Sequence, residues 1–129
     1  MKKTLLVSIG LFLTMLLFTS CGGGTQIITE DAAGQTVTVK TGETIAINLK
    51  GNPTTGFSWQ MLDLNTAILV QQGDPAYKAD SSLIGSGGMY TYTFKAAGAG
   101  TQTLVFNYAR AWETNIPPAK IFSITIKVQ

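Results

Sequence analysis

The side chains that most often perform catalysis are nearly absent from this sequence of 129 residues, which has no histidine and a single cysteine, Cys21. A hydrolytic triad built on histidine, a histidine-rich zinc site and a disulfide within the chain are therefore excluded. The carboxylates offer no glycosidase pair, because they fall at opposite predicted ends of the fold or in a long loop, with no aromatic groove between them. These residues are Asp63, Asp74, Asp80 and Glu113. We expect no enzymatic activity, no metal and no cofactor.

One segment combines a rigid turn with exposed hydroxyl groups: Asn52-Pro53-Thr54-Thr55-Gly56-Phe57. Pro53 fixes one backbone dihedral and favours an extended Asn52, while Gly56 allows a turn that a side chain would oppose. Thr54 and Thr55 are left at the tip, where their hydroxyls can form hydrogen bonds. By itself this pattern indicates only a tight turn.

Two further segments suggest recognition of a partner. Gly85-Ser86-Gly87-Gly88 precedes a β-run that starts at Met89, so it lacks the following helix that phosphate binding requires. Glycines beside a strand instead allow another backbone to approach closely. Arg110-Ala111-Trp112 places a tryptophan in a loop, and tryptophan often anchors protein interfaces. The alternatives are that Trp112 caps the sandwich and that Arg110 forms an ion pair with Glu113 or Asp74.

The charge distribution gives no sign of a nucleic-acid partner. Nine basic and seven acidic residues give a net charge of +2, and Lys2 and Lys3 account for the difference. The rest of the chain is neutral and shows no basic stripe.

The first residues have the pattern of a secretory signal. Lys2 and Lys3 precede the apolar run Leu5–Phe18, and small residues then lead to Cys21. This arrangement resembles a bacterial lipoprotein cleavage site, with Cys21 as the lipidated residue. We expect a signal peptide over 1–20, a lipidated Cys21 with a Gly-rich tether over 21–25, and a domain over 26–129. The protein is then extracytoplasmic, lipid-anchored to a bacterial membrane on its periplasmic or cell-surface side, or secreted if Cys21 is not lipidated.

Alternation of apolar and polar residues with period two predicts β-strands through the rest of the chain. The clearest examples are Ile45 to Leu49, Tyr90 to Phe94, Leu104 to Tyr108 and Phe122 to Val128. Each run is bounded by turn residues. With short strands near 26–29 and 67–71, the pattern predicts an all-β, immunoglobulin-like sandwich of seven or eight antiparallel strands.

These strands place the three recognition segments together. If direction reverses at every strand, alternate connections lie at one end of the sandwich. The connections Lys50–Gly56, Gln72–Gly88 and Arg110–Ala119, here the first, second and third loops, then share one end. Loops held on a rigid scaffold often carry function.

Taken together, the three segments resemble the motifs of the chagasin family, whose members inhibit papain-like cysteine peptidases. The family patterns are NPTTG followed by an aromatic residue, GxGG and RPW, in this order on an immunoglobulin-like sandwich. The first motif matches fully and the second fits its looser pattern. The third has Ala111 where proline is usual, which leaves its backbone freer before binding.

The resemblance implies a reversible, competitive inhibitor whose three loops block the peptidase cleft. Thr54 would approach the catalytic Cys–His pair, Gly85–Met89 would pair with the non-primed side, and Arg110–Trp112 would contact the primed side. The alternative is an extracellular immunoglobulin-like binding or adhesion domain without inhibition. A sugar-binding platform is disfavoured, because Trp59, Tyr90 and Tyr92 alternate with polar residues as core-facing strand residues do.

Overall fold

The computed structural model describes residues 24–129, so the predicted signal peptide and Cys21 lie outside the described residues. Within this range, no helix is long and apolar enough to cross a membrane. Residues 24–129 form nine strands and two short 3-10 turns, Glu30–Ala32 and Pro53–Thr55. The strands are β1 (Thr25–Thr29), β2 (Thr36–Val39), β3 (Thr44–Gly51), β4 (Ser58–Met61), β5 (Leu69–Gln71), β6 (Ala76–Ala79), β7 (Gly88–Ala96), β8 (Gly100–Ala109) and β9 (Lys120–Val128).

The strands form two sheets, which confirms the predicted all-β sandwich. One sheet has the order β1-β3-β7, with β5 and β6 both on the free edge of β7, and the other has the order β2-β9-β8-β4. The structure has nine strands rather than seven or eight, and it is not wholly antiparallel. β1 pairs with β3, and β2 with β9, in parallel, because the chain crosses between the outer edges of the two sheets through the first 3-10 turn.

The core lies between the sheets and follows the period-two pattern. On β3, Ile45, Ile47 and Leu49 are fully buried, while the residues between them are partly exposed. The same alternation gives the inward-facing residues of β8 and β9. In the described part of the chain, no polar or charged residue is buried. Burial of apolar side chains, which contributes about 1.5–3 kcal/mol each, is thus the main stabilising term.

The same pairing defines two ends of the sandwich. Gly51 at the end of β3 lies opposite Gly88 at the start of β7, and Tyr108 near the end of β8 lies opposite Lys120 at the start of β9. The backbone N–H of Asn52 donates to the Tyr108 hydroxyl at 2.8 Å and so joins the two sheets here. We call this the loop end, and we call the opposite end, where β3 begins and β9 finishes, the distal end.

Candidate functional site

The first loop is a closed turn whose conformation follows from its sequence. Asn52 has extended backbone and caps the turn Pro53–Thr55, with its side-chain Oδ1 accepting from the Thr54 N–H at 3.1 Å. Pro53 occupies the first turn position, where its missing N–H is no loss. Gly56 ends the turn with a φ of +80°, a left-handed conformation that glycine adopts without strain.

Asn52 also connects the first loop to the second. Its Nδ2 donates to the carbonyl oxygen of Gly85 at 2.9 Å. A single side chain therefore caps one loop and holds the backbone of another.

The third loop is attached to the first by Arg110. Its Nε donates to the Thr55 carbonyl oxygen at 3.0 Å, and its guanidinium lies 4.3 Å from the centre of the Phe57 ring. Phe57 in turn stacks on Tyr108, with 5.2 Å between the ring centres. Arg110 also forms an ion pair with Glu113 at 2.9 Å, which is one of the two pairs considered from the sequence.

Trp112 lies against the first loop and remains 68% exposed. Its ring contacts Gly56 so closely that a Cβ at Gly56 would overlap it. The indole thus presents most of its surface to solvent at a defined position, which differs from a tryptophan folded back into the core.

The second loop is shorter and more ordered than its predicted range suggests. Strand β6 lies inside this range and pairs with β7, supported by the contact between Tyr77 and Tyr90 at 4.8 Å between ring centres. The remaining tip, residues 80–87, is the second-loop tip. The backbone N–H of Asp80 donates to the Gly87 carbonyl, and Ser86 is bonded to Ser81 in both directions.

The second-loop tip carries two apolar residues that the sequence interpretation did not select. Leu83 is 76% exposed and Ile84 is completely exposed. Their signal in the sequence was a pair of aliphatic residues inside a stretch of Asp, Ser and Gly, where nothing else is apolar. Most of the large apolar side chains exposed in the described residues lie on the loops or strand ends of the loop end, namely Tyr77, Leu83, Ile84, Trp112, Ile116 and Ile121.

The structure brings every predicted contact residue to the loop end. Asn52, Thr55, Gly56, Phe57, Gly85, Arg110 and Trp112 are joined by the contacts above, and Thr54 is bonded to Asn52. Met89 differs from the others because it lies within β7, half-buried and opposite Lys50. Ala111 is exposed in the third loop, and Gly88 is buried at the start of β7.

The aromatic residues beneath the loops are structural. Trp59 is 7% exposed and Tyr92 6%, so they form no sugar-binding platform. The Trp59 indole N–H donates to the Lys50 carbonyl at 3.0 Å. Burial raises the pKa of Tyr92 to about 12, with a smaller contribution from Tyr90, whose own pKa is also raised mainly by burial. Both phenols therefore stay neutral at physiological pH.

Within residues 24–129, no group of cysteine or carboxylate side chains is arranged to hold a metal ion. Among the described residues of the loop end, Arg110 and Glu113 form an ion pair, and the contacts that join the three loops are otherwise hydrogen bonds of hydroxyl, amide and backbone groups. This arrangement is suited to binding rather than to chemical transformation. Fold and site together define an immunoglobulin-like sandwich with a three-loop recognition end.

Comparison with known proteins identifies the family. Residues 38–126 match the Chagasin family peptidase inhibitor I42. The chain therefore belongs to the chagasin family, whose members are peptidase inhibitors and not enzymes.

Curated relatives agree with this assignment. Chagasin of Trypanosoma cruzi is 29% identical over 104 residues, with 78% of this chain and 94% of that protein covered. Amoebiasin-1 of Entamoeba histolytica is 32% identical over 105 residues, with 79% and 98% covered.

Solved structures show the same fold. The crystal structure of the cysteine protease inhibitor EhICP2 from Entamoeba histolytica gives a TM-score of 0.72 at 23% identity, covering 82% of this chain and 96% of that one. PbICP-C, solved in complex with falcipain-2, gives a TM-score of 0.55 at 19% identity, covering 84% of this chain and 93% of that one.

Proposed function

We propose that this protein is a reversible, competitive inhibitor of papain-like cysteine peptidases and that it blocks their active-site cleft with the loop end. The observation that carries this proposal is the set of contacts that joins the three motif loops into one unit. Asn52 bonds to Gly85, Arg110 bonds to Thr55, and Trp112 lies on Gly56. Family membership supplies the class of target.

Each loop has a distinct role in this proposal. Thr54, at the exposed tip of the first loop, lies nearest the catalytic cysteine and histidine. The second-loop tip contacts the non-primed side of the cleft through its backbone and through Leu83 and Ile84. Trp112 packs on the primed side, where burial of its exposed ring contributes to affinity.

Resistance to cleavage follows from the shape of the first loop. A peptidase cleaves an extended segment whose carbonyl carbon approaches the nucleophile in a near-attack geometry. Residues 53–55 instead form a 3-10 turn closed by Gly56, whose N–H donates to the Pro53 carbonyl at 3.1 Å. The tip therefore occupies the catalytic region without presenting an extended, scissile peptide bond.

Affinity is supported by loops that are ordered before binding. Side-chain and loop ordering at an interface costs about 0.5–1.5 kcal/mol for each immobilised side chain. Here Arg110 is already held by Thr55, Glu113 and Phe57, and Asn52 by Thr54 and Gly85. Less of this cost remains at the moment of association.

The decisive experiment is a titration of papain and a cathepsin L-like peptidase with residues 22–129. A double variant, Thr54→Arg with Trp112→Ala, is compared with Leu62→Ala, which changes an exposed apolar residue remote from the loop end. We expect tight competitive inhibition that the double variant loses and Leu62→Ala retains. A folded protein that leaves active-site labelling of both peptidases unaffected at micromolar concentration would refute the proposal and favour an adhesion domain.

We further propose that Cys21 is lipidated and that the loops face away from the membrane. The sequence before Cys21 supports the first part. For the second, the Gly24 carbonyl accepts from the Thr44 N–H at 3.1 Å, so the chain enters β1 at the distal end. The seven steps from Thr44 to Gly51 along β3 separate the two ends by about 24 Å.

Lipidation is tested by mass spectrometry of the mature protein and by its distribution between membrane and soluble fractions. We expect a diacylglyceryl-modified N-terminal cysteine, and release into the soluble fraction for Cys21→Ala. An unmodified Cys21 in a soluble wild-type protein would refute the lipid anchor and leave secretion as the mode of export.

A further inference from the structure

Asn52 uses its polar atoms within the loop end. Its Oδ1 accepts from the Thr54 hydroxyl at 2.6 Å as well as from the Thr54 N–H at 3.1 Å. Its carbonyl oxygen accepts from the Thr55 hydroxyl at 2.7 Å, and its N–H donates to the Tyr108 hydroxyl at 2.8 Å. With the bond from Nδ2 to Gly85, Asn52 contacts its own loop, the second-loop tip and strand β8 of the other sheet.

The surroundings define the orientation of the Asn52 amide. A backbone N–H must face an acceptor, so the atom beside Thr54 is Oδ1. A carbonyl oxygen must face a donor, so the atom beside Gly85 is Nδ2. Because Oδ1 has no proton, the Thr54 hydroxyl is the donor in their short contact.

In the first-loop tip, residues 53–56, the hydrogen-bond donors are consequently all bonded within the loop. Pro53 has no N–H. The N–H and O–H of Thr54 both donate to Asn52 Oδ1, and the N–H and O–H of Thr55 both donate to the Asn52 carbonyl oxygen. The Gly56 N–H donates to the Pro53 carbonyl. The donors of the tip are therefore all used within the loop, whereas the exposed Thr54 and Thr55 hydroxyl oxygens keep free lone pairs. This surface can accept hydrogen bonds but has no unused donor.

We propose that Asn52 is a positioning residue that makes the first-loop tip an acceptor-only surface and sets its distance from the second-loop tip. The complementary group in a cysteine peptidase is a hydrogen-bond donor, either the protonated catalytic imidazole or an N–H of the oxyanion hole. This inference rests on the proposed function and specifies its chemistry. Asn52 acts through Thr54 and Gly85 rather than by touching the peptidase.

Three variants separate the two roles. Asn52→Ser keeps a good cap for the turn but cannot reach Gly85, so it removes the connection between the loops. Thr54→Val keeps the shape of the tip but removes the exposed hydroxyl oxygen that can accept a hydrogen bond. Thr54→Ser keeps that oxygen and is the matched control. Inhibition constants for papain and amide hydrogen exchange of residues 80–87 are measured for each.

We expect Thr54→Val to weaken inhibition by about 10- to 100-fold, the value of a hydrogen bond from a charged donor, and Thr54→Ser by less than about threefold. We expect Asn52→Ser to weaken inhibition by about five- to tenfold and to accelerate exchange in the second-loop tip, which Thr54→Val leaves unchanged.

The outcomes distinguish failure of the role proposed for Asn52 from failure of the proposed function. Wild-type inhibition by Thr54→Val, or equal losses for Thr54→Val and Thr54→Ser, would overturn the acceptor-only tip. Unchanged exchange in Asn52→Ser would overturn the connection between the loops. If the wild-type protein inhibits no peptidase, the proposed function fails, and hydrogen exchange alone still decides whether Asn52 holds the second-loop tip.

Discussion

Substitution of Gly56 by alanine tests whether the first loop positions Trp112. Two effects of this one methyl group follow from the structure. The φ of +80° is unfavourable for any residue with a Cβ, and the added carbon would overlap the Trp112 ring. The first effect acts on folding, and the second displaces the indole from its place on the first loop.

Gly34→Ala is the matched control. Gly34 has a φ of +78°, almost the same as Gly56, but no atom lies within 4 Å of a Cβ built there. Both variants should lose about 1–2 kcal/mol of stability from the left-handed backbone. For a domain of this size, the melting temperature then falls by about 4–15 °C in each.

Only Gly56→Ala should affect inhibition. Loss of a tryptophan anchor from an interface costs at least about 2 kcal/mol, which corresponds to an inhibition constant about 30 times larger. Thermal unfolding and titration of active papain measure the two quantities at a temperature where both variants are folded. If Gly56→Ala inhibits as well as Gly34→Ala does, the contact between Gly56 and Trp112 does not position the indole for binding.

Three further outcomes are expected. Arg110→Lys keeps the charge but loses the bond to Thr55 and the planar contact with Phe57, so inhibition should weaken by about tenfold in the same titration. An unchanged inhibition constant would mean that the third loop keeps its position without these contacts. Ile84→Ser should weaken inhibition at least about fivefold while leaving the melting temperature within about 2 °C, because the side chain is fully exposed; a large drop in melting temperature would contradict the structure. For Tyr92, the pKa of about 12 in the folded protein lies above the ordinary value of 10, so the unfolded chain releases this proton first and the unfolding free energy falls as pH rises from 10 to 12. Tyr92→Phe should reduce this slope by up to about 1.4 kcal/mol per pH unit, as measured by urea unfolding, and an equal slope in the variant would show that another group is responsible.

The strands were predictable because their signal is local. On β3 and β8, alternation of apolar and polar residues identified the buried residues, since successive strand residues face opposite sides of a sheet. Strand β6 was missed because its four residues are all exposed and show no alternation. It exists because Tyr77 contacts Tyr90 on β7, a partner that its own segment does not specify.

The shared end of the three loops was also predictable, because it follows from strands that alternate in direction. The prediction would have been wrong if β6 ran opposite to β5, because the third loop would then lie at the distal end. Instead, β5 and β6 run in the same direction along the same edge of β7, as one interrupted strand. The parallel pairing of β1 with β3 and of β2 with β9 could not be predicted, because it depends on how the chain crosses between the sheets.

The sequence by itself determined the strands that alternate in polarity, the three recognition segments and the glycine that closes the first turn, because each follows from neighbouring residues and from the dihedral preferences of Pro and Gly. Only the tertiary structure decided what the motif side chains do. Asn52 bonds to a carbonyl 33 residues away, and Arg110 to one 55 residues away. Such contacts form only when two packed sheets bring strand ends together, since nothing in the local sequence selects a hydrogen-bond partner at that separation. The packing of the sandwich thus turns three separate motifs into one rigid surface.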